Sequence, residues 1–463
     1  MRYVSTRGAA PPVSFVEAVL AGLAPDGGLY VPDRWPTFSA EAIAGVADIP
    51  YAQAAAQVLG AFAGGEIDAA ELEAMCAAAY ATFEHAAVAP LRQLGPDRWL
   101  LELFHGPSLA FKDVALQLLA RLYEHILQRQ GRRLTIVCAT SGDTGGAAVE
   151  ALRGRANIRL VVMFPEGRIS DIQRRFMTTA PDANVATVAV DGDFDDCQRI
   201  LKSLFRDQVF AREVSLAAVN SINFARLAAQ SVYYFTSAAA LGGPERPVAF
   251  AVPTGNFGDA FAGWMARAMG LPVSRIIAAT NANDILARAL TQGRYARASL
   301  AATESPAMDI QSASNFERLM FEAAGRDADA TRRLFEGFDQ SGDVALDPAA
   351  LRRAGEVFTG VSASDAEGAQ AMRASLASGG VVDPHTAIAI AGLRKVDPLP
   401  KGPLVVLSTA HPAKFPEAVS AATGAPPPTP PAAARVHALS ERFDRIAADV
   451  AAVKAYVRAF ATQ

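Results

Sequence analysis

The chain has 463 residues, 51% of them hydrophobic and 19% charged. That length can bury a large core and is expected to divide into two or three domains. With 43 basic and 47 acidic side chains the formal charge is −4, so no electrostatic case exists for nucleic acid or an anionic membrane as partner.

The opening Met1-Arg-Tyr-Val-Ser-Thr-Arg-Gly8 lacks the apolar core of a secretory signal. No stretch approaches the roughly 20 apolar residues of a membrane span, so a cytoplasmic protein is expected. Residues 1–90 read as a helical N-terminal region, Ala-rich with helical periodicity at Phe15–Leu20 and Glu71–Met75. A turn and short extended piece, Asp26-Gly-Gly-Leu-Tyr-Val-Pro32, interrupts it. Cys76, Cys138 and Cys197 are far apart and lack metal-ligand spacing, which indicates reduced thiols; Cys138, in an apolar run, reads as a core residue.

From about Leu91 apolar β-branched runs alternate with helical ones: Leu134–Ala139, Ile158–Phe164, Val185–Val190, Val248–Val252, Arg275–Ala279 and Leu404–Leu407. Runs of this kind predict parallel sheet covered on both faces. The fold class is therefore α/β, with residues 91–285 and 381–425 forming a core of two lobes. Residues 286–380 look polar and helical, as in Glu317–Glu322 and Thr331–Glu336, and are expected to be an inserted helical lobe. Residues 426–463 read as a Pro-rich linker, extended through Pro426–Pro431, followed by an amphipathic helix from near Leu439. No internal repeat with a period of about 20–50 residues is present.

Two segments share a design in which a buried strand runs into a Gly-rich turn that opens a helix. They are Ala139-Thr-Ser141-Gly142-Asp143-Thr144-Gly-Gly146 and Pro253-Thr-Gly255-Asn256-Phe257-Gly258-Asp259. Free amides and the helix dipole make each a candidate anion cradle. Each is equally a tight turn capped by Ser141 or Asp143. Neither matches a P-loop or a dinucleotide fingerprint. A third segment, His105-Gly-Pro-Ser-Leu-Ala-Phe-Lys112-Asp113, leads into a helical run; taken alone, Lys112 is an ordinary first-turn lysine. The fourth, Ser408-Thr409-Ala-His411-Pro-Ala-Lys414-Phe415, again follows a buried strand. Ligands of open α/β sheets sit beyond the carboxyl ends of strands, and three such ends here carry polar or Gly-rich turns.

Together these segments resemble the threonine synthase family of fold-type II pyridoxal-phosphate (PLP) enzymes, over most of the chain. Tyr3-Val-Ser-Thr-Arg-Gly8 and Asp26–Pro32 are similar to that family's opening signature. His105–Asp113 is similar to its PLP-lysine motif, with Ser108 where Thr is frequent. The two Gly-rich turns and Ser408-Thr-Ala-His-Pro-Ala-Lys-Phe-Pro-Glu-Ala-Val419 follow in the family's order.

The resemblance implies that Lys112 holds PLP and then serves as acid and base. Gly255, Asn256, Phe257, Gly258 and Asp259 would line the cofactor phosphate through backbone amides, and Thr409 would meet the pyridine nitrogen. Ser141, Gly142, Asp143 and Thr144 would grip the substrate α-carboxylate, with the Asp143 side chain turned away to cap the helix. The implied reaction converts O-phospho-L-homoserine and water to L-threonine and phosphate, with no metal. Asn220, Asn223, Arg226 and Lys414 are candidates for the leaving phosphate, as are Ser221, Ser314, Asn315 and Arg318; Arg226 and Arg318 read equally as surface ion pairs. His385 and His411 read as structural before catalytic. A monomer or homodimer without allosteric control is expected. The alternatives are a serine/threonine dehydratase, a cysteine-synthase-like enzyme, or an inactive PLP-binding homeostasis protein.

Overall fold

The computed structural model describes residues 1–217, 219 and 221–462. The chain divides into two compact units, Met1–His105 with Ser221–Pro427, and Gly106–Asn220 with Pro428–Gln463.

The first unit is built on six strands in the order Phe358–Ser362, Val273–Thr280, Val248–Pro253, Leu404–Ser408, Arg98–Glu102, Leu91–Gly95. Five run parallel and the last returns antiparallel. Every residue of Val248–Pro253 and Leu404–Ser408 is buried, as central strands covered on both faces must be. Helices Asp365–Ala377 and Pro384–Leu393 supply Ala371, Met372, Ala387 and Ile388 to a core that includes Ala251, Ile277 and Val406. At the N-terminus, Tyr3–Ser5 pairs antiparallel with Tyr30–Pro32. The Tyr3 hydroxyl donates to the Phe62 carbonyl at 2.8 Å, tying this ribbon to the helix Tyr51–Ala63.

The expectation that strands cease between 286 and 380 is corrected. Phe358–Ser362 is an edge strand of the main sheet, and Arg294–Ala296 pairs with Asp343–Ala345. Phe358-Thr-Gly-Val-Ser carries β-favouring Phe, Thr and Val but is short and broken by a glycine, so pairing with Ile276–Thr280 completes the strand. The glycine itself is required: a Cβ on Gly360 would lie 2.9 Å from Ala287 Cα.

The second unit holds a wholly parallel sheet in the order Asp444–Ala447, Val185–Asp191, Ile158–Pro165, Leu134–Ala139, Leu216–Ala217. The helix Phe194–Arg206 opens with an Asp193/Asp196 capping box and buries Cys197, Ile200 and Leu204 against Val161, Met163 and Val188. All three cysteines are free and buried.

The C-terminal segment also differs from expectation. A helix Pro431–His437 comes first, with Pro431 at its opening position, where a missing N–H costs nothing. Its Ala432, Ala433 and Val436 pack on Leu109, Ile172 and Phe176. Leu439 lies past the end of that helix; the chain then adds the sheet strand Asp444–Ala447 before the final helix Val450–Ala461. Among the described residues no helix is long and apolar enough to cross a membrane.

Candidate active site

In the second unit Gly106–Asp113 is a tight loop closed by its own last residue. Fully buried Asp113 accepts from the Ser108 amide at 2.8 Å and the Ser108 hydroxyl at 2.7 Å. A Cβ on Gly106 would lie 2.5 Å from that of Asp113, so only glycine fits. The loop delivers Lys112 as the first residue of the helix Lys112–Gln130. Its ammonium lies 3.7 Å from Asp143 Oδ2 and 5.0 Å from the centre of the Phe111 ring.

Asp143 belongs to the first Gly-rich turn, which follows the strand Leu134–Ala139. Thr140 organises that turn: its Oγ1 accepts from the Gly142 amide at 3.0 Å and the Gly145 amide at 2.9 Å. Gly142 sits at φ +135°, and a Cβ there would meet Gln173 Cδ at 2.5 Å. The Asp143 carboxylate does not cap the helix. It accepts from Gln173 Nε2 at 3.0 Å and faces Lys112, while the cap position is Gly142 with no side-chain bond. The amides of Ser141 and Thr144, at the start of the helix Asp143–Leu152, have no acceptor among the described residues. Lysine, open amides and dipole therefore converge within this unit.

In the first unit the strand Val248–Pro253 runs through the second Gly-rich turn into the helix Gly258–Ala268. The amides of Gly255, Asn256, Phe257, Gly258 and Asp259 find no acceptor among the described residues. A Cβ on Gly255 would stand 2.8 Å from the Ala307 carbonyl, backbone that no rotamer change can move aside. The Asp259 side chain points inward. Its Oδ1 accepts from the Tyr233 hydroxyl and, at 3.1 Å, from the Tyr234 hydroxyl, while buried Oδ2 has no hydrogen-bond partner among the described residues. Burial pushes this carboxyl up to about 7 against the two tyrosine bonds, so only its backbone N–H faces outward for a ligand.

Buried Thr409 follows the strand Leu404–Ser408. That strand end is braced by Ser408 Oγ, 3.1 Å from Thr386 Oγ1, whose hydroxyl bonds to Asp383. His385 is part of the brace: Nδ1 pairs with Asp383 at 2.8 Å, and Nε2 accepts from the Ala307 amide at 3.2 Å. His411 accepts from the Ala413 amide at 3.1 Å, and burial, then nearby His105, push its pKa down to about 4. Each ring thus holds a neighbouring backbone amide in place.

The basic and amide residues named from sequence separate into two groups. Arg226 and Lys414 are buried, 4% and 1% exposed, so Arg226 is no surface ion pair. Arg318 is fully buried too, but its guanidinium is committed to the Tyr30 carbonyl at 3.0 Å, the Ile222 carbonyl at 2.7 Å and the Asn315 side chain. Asn223 caps the helix Phe224–Ala240 through the Ala225 amide and donates to the Val19 carbonyl at 2.8 Å. Ser314 and Asn315 bond to Asn256 and brace the second turn. Asn220 lies outside the described residues. Thr140 and Gln173 were missed from sequence. For Thr140 a signal existed, a hydroxyl residue two before glycine, the pattern of a side-chain-closed turn.

Taken unit by unit, the residues have the chemistry PLP needs: in the second a lysine in a constrained loop, and in the first a Gly-lined cradle of five open amides and a hydroxyl at a strand end. Family models agree along the chain. Residues 2–80 match the threonine synthase N terminus, 85–410 the pyridoxal-phosphate dependent enzyme family, and 386–457 the threonine synthase C-terminal model. A threonine synthase of Pseudomonas aeruginosa is 47% identical, aligning 99% of this chain with 98% of its own. The crystal structure of PLP-bound threonine synthase from Brucella melitensis is 49% identical with a TM-score of 0.98, covering 100% of both chains. The yeast threonine synthase structure is 37% identical with a TM-score of 0.93, covering 100% of this chain and 99% of its own. By these motifs, this fold and these full-length matches, the chain belongs to the threonine synthase family of PLP-dependent enzymes.

Proposed function

We propose that the chain converts O-phospho-L-homoserine and water to L-threonine and phosphate, the last step of threonine biosynthesis, with PLP as its cofactor. The observation that carries the reading is Lys112, whose ammonium stands 3.7 Å from Asp143 in a turn with open amides at Ser141 and Thr144. Bound PLP supplies the electron sink that makes the hydrogen on an amino acid's α-carbon acidic.

The chain's own groups would do the rest. Lys112 Nζ tethers the cofactor and then moves the Cα proton, with the Asp143 carboxylate orienting the ammonium. The amides of Ser141, Gly142, Asp143 and Thr144 would take the substrate carboxylate at the positive end of their helix; the Gly142 amide is shared with Thr140. The amides of Gly255, Asn256, Phe257, Gly258 and Asp259 would take the cofactor phosphate. Thr409 would hydrogen-bond the pyridine nitrogen; a neutral hydroxyl leaves that nitrogen unprotonated and favours elimination over transamination. Buried Lys414 and Arg226 are the cations for the leaving phosphate, which departs from Cγ; one Cβ proton is lost to a base, water's hydroxyl takes its place at Cβ, and a proton is added at Cγ. The protein would act in the cytoplasm, as a monomer or homodimer; three free, buried cysteines support a reducing compartment.

Retention of Lys112, both turns, Lys414 and Arg226 weighs against an inactive homeostasis protein, and full-length likeness to threonine synthases weighs against a dehydratase. Borohydride reduction of the PLP-loaded protein followed by peptide mapping tests the reading. The cofactor should be found on Lys112; label on another lysine, or on none, would overturn it.

A further inference from the structure

The second Gly-rich turn contains a residue in an unfavourable conformation. Phe257 takes φ +63°, a region bulky side chains rarely enter unless their surroundings impose it. Two contacts impose it here. The Phe257 ring is fully buried, 5.6 Å from Phe316 and 5.1 Å from Phe358. The preceding carbonyl, that of Asn256, accepts two bonds from one residue: the Asn315 amide at 3.0 Å and Asn315 Nδ2 at 3.1 Å. A planar trans peptide points its N–H opposite to its C=O. Fixing the Asn256 carbonyl on Asn315 therefore turns the Phe257 N–H the other way, into the open row of amides at the helix start.

Asn315 is itself held. Nδ2 also donates to the Ser221 carbonyl at 3.1 Å, and Oδ1 accepts from the fully buried Arg318 guanidinium. Two carbonyls on one side and a cation on the other leave only one orientation for this amide. Arg318 is anchored in turn on the Tyr30 carbonyl, and neighbouring Glu317 accepts from Thr6 at 2.6 Å and Arg7 at 2.9 Å. The N-terminal ribbon thus supports the turn through the helix Phe316–Ala323.

We infer that Asn315 is a positioning residue for cofactor-phosphate binding, setting the Phe257 amide, with Arg318 locking Asn315. This rests on the reading that the Gly255–Asp259 turn takes the phosphate of PLP.

The test is a titration of apo-protein with PLP and, separately, with pyridoxal, which lacks the phosphate. Asn315→Asp keeps the shape and the Arg318 partner but loses both side-chain donors. It should weaken PLP binding by about ten- to a hundred-fold, the loss expected when buried carbonyls lose their donor, and leave pyridoxal affinity within about twofold of wild type. Should N315D not fold, Asn315→Ser is judged by the same ratio. Equal weakening of both ligands would mean general damage and overturn the inference. Unchanged PLP affinity in N315D, with Gly255→Ala losing the preference for PLP over pyridoxal, would overturn the inference and leave the phosphate-turn reading standing. Wild-type protein that binds both ligands equally, or G255A that keeps the preference, would overturn the phosphate-turn reading itself.

Discussion

Thr140→Val is the sharpest probe of the substrate half of the site. The two side chains are nearly isosteric, so packing around Thr140, 2% exposed, is preserved while Oγ1 is lost. That oxygen is the acceptor for both the Gly142 and Gly145 amides. A buried amide without an acceptor costs about 1–3 kcal/mol. Two such amides on one relaxing turn should cost about 2–3 kcal/mol in all. Part of this should appear as a lower urea midpoint. The rest should appear as weaker carboxylate binding, because Ser141 and Thr144 would no longer be held in line; a tenfold rise in KM corresponds to about 1.4 kcal/mol. Thr140→Ser, which keeps the oxygen, should recover most of both. Unfolding in urea and steady-state phosphate release, compared across the three proteins, make the measurement. T140V within about 0.5 kcal/mol of wild type and with unchanged KM would refute Thr140 as organiser of the turn.

Asp259 gives a pH signature. Its folded value of about 7 lies above the unfolded value of about 3.9, so the folded state keeps a proton the unfolded chain has lost. The group's contribution to stability therefore falls as pH rises from about 4 to about 7 and is level above. Asp259→Asn does not titrate and should gain on wild type across that window, by up to about 4 kcal/mol; urea unfolding at several pH values, with a constant difference between the two proteins, would contradict it. Lys414→Met should leave the lysine-bound cofactor's visible absorbance intact and lower kcat/KM at least about a hundred-fold, as loss of a buried charge partner does. Val436→Ala removes two methyl groups from the cluster with Leu109, Ile172 and Phe176, and should cost about 2 kcal/mol in urea unfolding.

The central strands were legible because they are continuous apolar runs buried on both faces, and the two Gly-rich turns because glycine at a strand-to-helix junction leaves few conformations. Short pieces were not. Phe358–Ser362 and Asp444–Ala447 are short strands fixed by a neighbour distant in sequence, a relation that local periodicity does not carry. Polar residues were read by type, without the partners the fold gives them. Arg318 and Asn223 read as ligand groups from sequence, and the fold adds structural bonds that sequence could not show, to backbone carbonyls and a helix cap. The Asp143 side chain was expected to turn away and cap the helix, yet Gln173, thirty positions away, bonds it where it faces Lys112. Thr6 and Arg7 belonged to a recognised signature, but their partner Glu317 lies far along the chain, so only the fold reveals what the signature holds.

The central claim is the reaction, and product stoichiometry tests it most directly. PLP-loaded protein is given O-phospho-L-homoserine, and phosphate and amino acid are quantified together. One threonine per phosphate is predicted, with neither product from Lys112→Ala. Ammonia and a 2-oxo acid in place of threonine, or no phosphate from protein whose lysine-bound cofactor is intact, would contradict the account.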